Sequence, residues 1–333
     1  MRILHCIDTQ EVAGTERHVA ELAAFQARGH EVTVLIGRRT ADPFTGEDII
    51  SRLCAPVETL RAGRSGYGAA LAALTRRRRF DIVHTHLGRA SFRARWLAAR
   101  RPALIATLHN RYAPRAYGGH DGLICIARWQ AERVTGKHLA VIGNWTQAGP
   151  PEPVRRAALR AEFGIGADEF LIGAAGRFVP EKRFDLLIEA FRHAGLPGAR
   201  LILFGAGPEE SRLRGLADSG VIFGGYRADL PGDLAGLDGF VLPSRREPFG
   251  LVLLEAMAAR LPVCATGAGG VTDILAEAPD CLVPPEDVGA LAEGLRRLRR
   301  QGARDWALDR WRLPVRAAEI ETFYRSVVAM RRR

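Results

Sequence analysis

The sequence predicts an α/β protein of two doubly wound, Rossmann-like domains facing a central cleft. Three observations carry this. Apolar runs of strand length alternate with helix-period segments from end to end. One turn-rich stretch interrupts the alternation near the middle. The 333 residues suffice for two domains, each with its own core.

Arg2–Asp8 reads as the first strand, Thr15–Arg28 as an amphipathic helix and Glu31–Ile36 as the next strand. Gly68–Arg79 follows as a helix, Asp81–Thr85 as a strand, Ser91–Arg100 as a helix, and Ala103–Leu108 and Gly122–Ile126 as strands. After Asn144 the run from Trp145 to Pro153 carries one Gly and three Pro, which marks a linker. The pattern then restarts with strand Phe170–Ala175, helix Glu181–His193, strand Arg200–Phe204 and helix Pro208–Ala217. Strand Gly239–Leu242, helix Gly250–Ala259 and strand Pro262–Ala265 complete it, and the basic tail from Ala303 reads as wholly helical. The expected domains are 1–150, 151–303 and a tail, 304–333, that returns to the first.

Composition narrows the class. With 47% hydrophobic and 26% charged residues the chain is of ordinary globular type. No apolar run approaches the ~20 residues that span a bilayer, and Asp8 interrupts the N-terminus before a signal-peptide core forms. The five cysteines, at 6, 54, 125, 264 and 281, show no metal-ligand spacing. They are expected as reduced core thiols of a cytosolic protein. Residues 1–150 hold 22 basic against 12 acidic side chains, whereas 151–303 hold 18 against 21. Only Lys137 and Lys182 are lysines, as a GC-rich genome would explain. Arg-rich codon bias on a solvated face is the bland reading of the excess; against it, codon bias acts on both halves, yet 151–303 carry no excess.

In open α/β sheets ligands bind beyond the carboxyl ends of the strands, so those loops bear the chemistry. After the first strand, Gly14 allows close backbone approach and Thr15 opens a helix whose free N–H groups suit an anion. Alone, Gly14 making the turn and Thr15 capping the helix is the favoured reading. The loop is not GxGxxG, which argues against a dinucleotide site. In Gly176-Arg177-Phe178-Val179-Pro180-Glu181-Lys182, Arg177 and Lys182 place two cations where a diphosphate would sit. The bland alternative is two solvated surface cations. In the stretch from Pro243 to Met257, Glu247 precedes a helix and Glu255 lies inside its apolar run, where an unpartnered charge is costly. The amides of Phe249, Gly250 and Leu251 are helix-start donors for phosphate or sugar oxygens.

These residues together resemble the family-four glycosyltransferases, which have the twin-Rossmann GT-B fold. The resemblance covers nearly the whole chain and is strongest over 172–285. Glu247 and Glu255 match the family's E-x7-E signature. By that resemblance the first glutamate contacts the transferred sugar and the second holds the nucleotide ribose. Arg177 and Lys182 match the pair that neutralises the diphosphate, and Gly14 matches the N-domain glycine loop. His109 matches a histidine near the reacting sugar, and Gly205-Ala206-Gly207-Pro208 the G-x-G-P turn beside the nucleotide. The chain departs from the family at Ala13, where a second glycine is common. It departs again at Ala206, where an acid is frequent, and at Trp145, where Asn144 would usually be followed by Gly.

His84 and His86 flank Thr85 in a strand and are expected on opposite faces, so no shared metal is expected there. No Asp-x-Asp occurs, which removes the usual handle for a sugar-nucleotide metal. The expected function is retaining, metal-independent glycosyl transfer from a nucleotide-diphosphate sugar, with no cofactor. The expected acceptor is an anionic envelope glycolipid such as a lipopolysaccharide-core precursor, reached at the inner face of a bacterial membrane. Arg76, Arg77, Arg78, Arg79, Arg89 and Arg93, with Arg95, Arg100, Arg101, Arg111 and Arg115, are the candidate patch for that surface. A nucleotide-sugar epimerase of the same fold is the alternative. A nucleic-acid binder is disfavoured, since the chain has no binding module and only 7% aromatic residues.

Overall fold

A computed structural model describes residues 1–9, 14–37, 41, 44–53, 56–63, 66–97 and 102–332. The chain divides into two units, Met1–Asn144 with Trp311–Arg333, and Trp145–Arg310.

The first unit holds a seven-stranded parallel sheet of β1 (Arg2–Ile7), β2 (Glu31–Ile36), β3 (Glu58–Arg61), β4 (Ile82–His86), β5 (Ala103–Leu108), β6 (Gly122–Cys125) and β7 (His138–Val141). Their order is β3-β2-β1-β4-β5-β6-β7, so the winding reverses between β1 and β4. The helices between them are α1 (Gly14–Gln26), α2 (Tyr67–Arg77), α3 (Leu87–Ala94), α4 (Pro114–Tyr117) and α5 (Arg128–Ala131). Both faces of β4 and β5 are buried, as parallel strands covered by helices require. Leu4, Leu35, Leu71, Leu74, Val83 and Leu104 share one core cluster.

In the second unit α6 (Pro153–Glu162) precedes β8 (Phe170–Ala175), α7 (Phe184–Ala194), β9 (Ala199–Phe204), α8 (Glu210–Leu216) and β10 (Val221–Gly225). Then come α9 (Leu230–Asp233), β11 (Gly239–Leu242), α10 (Leu251–Ala258), β12 (Val263–Thr266), α11 (Val271–Ile274), β13 (Leu282–Val283) and α12 (Val288–Arg300). The parallel order β10-β9-β8-β11-β12-β13 reverses between β8 and β11. Ile172, Leu187, Phe191, Leu201, Leu291 and Leu295 form its core. Each such side chain, fully buried, stabilises by about 1.5–3 kcal/mol.

Several expected boundaries are corrected. The tail is not helical from Ala303. The Arg304 N–H donates to the Arg260 carbonyl at 2.8 Å and the Trp306 indole to that of Leu261 at 2.9 Å, tying this stretch to the second unit. Helix α13 (Leu313–Arg331) begins only there, with Pro in its first turn. It packs on α1 and β5 of the first unit, burying Ile320, Phe323, Tyr324 and Val327. Helix α7 starts at Phe184 rather than Glu181, because Arg183 adopts a left-handed backbone, φ 51°, after a 3-10 turn at Pro180–Lys182. Helix α3 starts at Leu87 rather than Ser91 and ends at Ala94 in a 3-10 turn, Arg95–Leu97, while residues 98–100 of the expected helix lie outside the described residues. Strands β3, β7, β10 and β13 and helices α4, α5, α6, α9, α11 and α12 have no counterpart in the expected pattern. The thiols of Cys6, Cys125, Cys264 and Cys281 are buried and unbridged, while Cys54 lies outside the described residues.

Candidate active site

In the second unit the loops leaving β8 and β11 diverge where the winding reverses. Gly205, after β9, has φ 136°, and a Cβ there would lie 2.0 Å from the Gly176 carbonyl oxygen. A Cβ on Gly207 would come within 2.4 Å of the Phe178 carbonyl oxygen. The two loops therefore meet backbone to backbone, joined by the Phe178 N–H to the Ala206 carbonyl at 2.9 Å and the Glu209 N–H to the Phe178 carbonyl at 3.1 Å. Only glycine permits that approach.

The left-handed Arg183 fixes the end of the first loop, its side chain paired with Asp185 at 3.0 Å and with Glu286. Lys182 folds its stem back beside Gly176 and donates from Nζ to Glu247 Oε2 at 2.6 Å. The same oxygen accepts from Ser244 Oγ at 3.1 Å. The Ser244 carbonyl in turn accepts from Thr266 Oγ1 at 2.5 Å. The Gly270 N–H binds the Glu247 carbonyl at 3.1 Å, and the Arg245 N–H the Glu181 carbonyl at 3.0 Å. Glu247 is thus buried, oriented and charge-matched on a rigid floor. Gly250, φ 105°, caps the start of α10 between Phe249 and Leu251, and Glu255 is buried within that helix. Arg177 is exposed and makes no ion pair among the described residues. Lys182 and Glu247 are therefore in contact, and Gly205 and Gly207 line the adjoining loop.

In the first unit Gly14 and Thr15 form the first turn of α1, so Thr15 is not its cap. Residues 10–13, Ala13 among them, lie outside the described residues. The expectation that His84 and His86 face opposite ways is wrong: residues two apart on a strand share a face, and these rings lie 4.2 Å apart. Register places His5 beside His84 and Ile7 beside His86, so the histidines of β1 and β4 collect on one face. His5 Nε2 lies 2.8 Å from Gln26 Oε1, His5 Nδ1 3.1 Å from His86 Nε2, and His86 Nδ1 3.1 Å from His109 Nε2. His84 bridges the Tyr324 hydroxyl at 2.6 Å and Thr107 Oγ1 at 2.7 Å. Thr85 faces the other way, to Ser91 at 2.8 Å and His120 at 2.9 Å.

Burial lowers the pKa values of six buried histidines, to about 4 at His5 and His120, to about 3 at His109, and well below the ordinary value at His18, His84 and His86. All are neutral at pH 7. Two trios, His5/His84/His86 and His18/His86/His109, bring their nitrogens close enough to share a metal ion. The bonded ring pairs meet end to end, however, with centroids 5.3 and 5.4 Å apart for nitrogens 3.1 Å apart. Those nitrogens point at each other rather than converging on a common point.

The candidate basic patch is only partly free. Arg93 binds the buried Asp8 carboxylate at 2.7 Å and Arg89 reaches it at 3.7 Å, so both serve a site at the end of β1 that the sequence reading missed. Arg76, Arg77 and Arg79 are exposed, as is Arg78, which pairs with Glu58. Arg111 and Arg115 are exposed as well, while Arg100 and Arg101 lie outside the described residues. Beside them Arg95 sits over the rings of Phe92 and Trp96, which are 43% and 73% exposed.

Comparison with known proteins places this geometry. Residues 12–143 match the family described as Glycosyltransferase Family 4, and residues 169–301 match Glycosyl transferases group 1. The chain belongs to the family-four glycosyltransferases. The lipopolysaccharide core biosynthesis glycosyltransferase LpsD of Rhizobium meliloti is 36% identical over 194 residues, 55% of this chain and 54% of that protein. LpsE of the same organism is 37% identical over 208 residues, 60% and 58% of the two chains. The chain thus spans little more than half the length of these curated relatives. Anabaena HepE, solved with UDP and glucose, superposes with a TM-score of 0.79 at 21% identity, over 98% of this chain and 100% of that one. Sucrose-phosphate synthase of Thermosynechococcus elongatus gives 0.79 at 22% identity, over 99% and 100%. The family's GT-B fold is the one described above.

Proposed function

We propose that this family-four glycosyltransferase moves a sugar, with retention, from a nucleotide-diphosphate sugar held by the second unit. The pairing of half-buried Lys182 with buried Glu247 carries the reading. A cation and a carboxylate 2.6 Å apart at the reversal point of a doubly wound sheet offer one group to phosphate and the other to sugar hydroxyls. As the anomeric C–O bond breaks, negative charge grows on the leaving phosphate. Lys182, Arg177 and the amides at the start of α10 meet it, while Glu247 orients the sugar and Glu255 holds the ribose; by the family resemblance His109 acts on the reacting sugar. Because Arg177 and Lys182 supply the positive charge, the transfer needs no metal. The acceptor is an anionic envelope glycolipid, an inference supported by the lipopolysaccharide-core relatives and by the exposed arginines of the first unit. The enzyme works as a peripheral protein at the inner face of the cytoplasmic membrane. No helix among the described residues is long and apolar enough to cross it.

A thermal-shift panel of nucleotide sugars tests the donor. A ligand of the folded state at 100 times its Kd adds about 2.7 kcal/mol, so one member is expected to raise the midpoint, and turnover with it is expected to survive exhaustive EDTA. A flat panel overturns the donor reading. Loss of turnover in EDTA with recovery in Mn²⁺ overturns metal independence.

A further inference from the structure

We propose that a buried hydrogen-bonded chain, Gln26–His5–His86–His109, holds His109 in one neutral tautomer, with Nε2 protonated and Nδ1 presented as an acceptor to a substrate hydroxyl. The inference rests on the reading above, in which His109 acts on the reacting sugar.

The links are short and end to end, at 2.8, 3.1 and 3.1 Å. Their polarity follows from the far end. The Gln26 amide turns its oxygen to His5 and its nitrogen towards the Tyr324 hydroxyl, and with that orientation His5 donates to the oxygen from Nε2. A neutral imidazole carries a single N–H, so His5 Nδ1 is then an acceptor and takes the proton of His86 Nε2. By the same step His86 Nδ1 accepts from His109 Nε2. His109 is left with a bare Nδ1, which has no partner among the described residues. Each step requires neutral rings, and burial keeps them so. His18 stands edge-on to His109, ring centroids 4.9 Å apart at 81°, and holds its plane.

The neighbouring histidine makes a separate line. The Tyr324 hydroxyl, held protonated by burial, donates to His84 Nδ1, and His84 Nε2 donates to Thr107. His84 therefore does not compete for His86. Gln26, His5 and His86 are positioning residues that act through His109. The consequence is chemical selectivity: the group received at His109 is one that donates, a hydroxyl, and a fluorine or methoxyl in its place is rejected.

Long-range ¹H–¹⁵N correlation spectra of the full chain, labelled with ¹⁵N-histidine, read the tautomers directly at pH 7.5. His5, His86 and His109 are each expected as the Nε2–H form. Gln26→Met removes the acceptor at near-constant volume and is expected to give His109 as a tautomer mixture. One neutral hydrogen bond is worth about 0.5–1.5 kcal/mol, so kcat is expected to fall up to about tenfold while nucleotide affinity is unchanged. An Nδ1–H His109 in the unsubstituted protein overturns the proposal, and so does a tautomer indifferent to Gln26→Met. Stoichiometric Zn²⁺ on these histidines would overturn it as well. The spectra need no turnover, so their failure is distinct from a flat donor panel.

Discussion

At the scale of single residues, the arrangement of Lys182 and Glu247 makes each depend on the other. Glu247 Oε2 accepts from both Lys182 and Ser244, so removing the ammonium leaves a buried carboxylate with one hydroxyl for company. Losing one preorganised electrostatic group costs on the order of 10²–10³ in kcat. Lys182→Ala and Glu247→Ala are each expected to show that loss with an unchanged circular dichroism spectrum, measured as turnover of the donor found by thermal shift. Near-normal turnover in either variant would remove that residue from the reaction. The seven-residue spacing of Glu247 and Glu255 and the cations at Arg177 and Lys182 were legible because each lies on one short loop–helix stretch. Ser244 and Asp8 were not, since nothing in their neighbours' chemistry marks them. The histidine cluster is hidden in the sequence because His84 and His86 share a face only by the two-residue period of β4. It also draws on β1, β4 and the end of β5, strands that sequence distance separates and the sheet order β1-β4-β5 rejoins.

At the scale of elements, what could be read from the pattern were the central strands. Phe170–Ala175 and Ala103–Leu108 are apolar runs because both faces are covered. Edge strands carry no such signal. Glu58–Arg61 is half-buried along its length and His138–Val141 nearly so, and their sequences, ETLR and HLAV, look like loop. Helix α6 escaped because it opens at the proline that closed the linker, a position that Pro favours at a helix start. The surface elements also carry the test of the membrane proposal. Helix α2 ends in Arg76 and Arg77, with Arg78 and Arg79 just beyond it, and α3, packed on it, carries Phe92 outward and is followed by Arg95 and the exposed Trp96. Basic side chains near an anionic bilayer contribute roughly 1 kcal/mol each, within a Debye length. Aromatic rings seat at the headgroup level. Co-sedimentation is expected with anionic vesicles and to fall steeply with salt. It is expected to weaken when Arg76–Arg79 become Ser, and again with Trp96→Ala. Equal binding to neutral vesicles, or to none, would leave a soluble saccharide as the better acceptor.

At the scale of the whole molecule, the two units differ in what acid does to them. His5, His18, His84, His86, His109 and His120 are all buried in the first unit, whereas the second holds only the exposed His193. Each buried ring has a folded pKa below its ordinary 6.5, at about 4 for His5 and His120 and about 3 for His109. Between those values and 6.5 the unfolded chain binds more protons than the folded one, so stability increases with pH across this window. It is fully present above pH 6.5 and is lost as pH falls towards 4, at about 1.4 kcal/mol per unit for each ring that must charge on unfolding. The carboxylates lowered by arginine pairing, Glu58 in the first unit and Glu162 in the second, have pKa values below 4.5 and act only in stronger acid. Hydrogen exchange at pH 7 and pH 5, corrected for intrinsic rates, is therefore expected to show protection falling in β1, β4 and β5 while β8 and β9 hold theirs. Equal loss in both sheets would place the acid sensitivity in the carboxylates, and no loss in either would mean that the histidine cluster already takes up protons in the folded state.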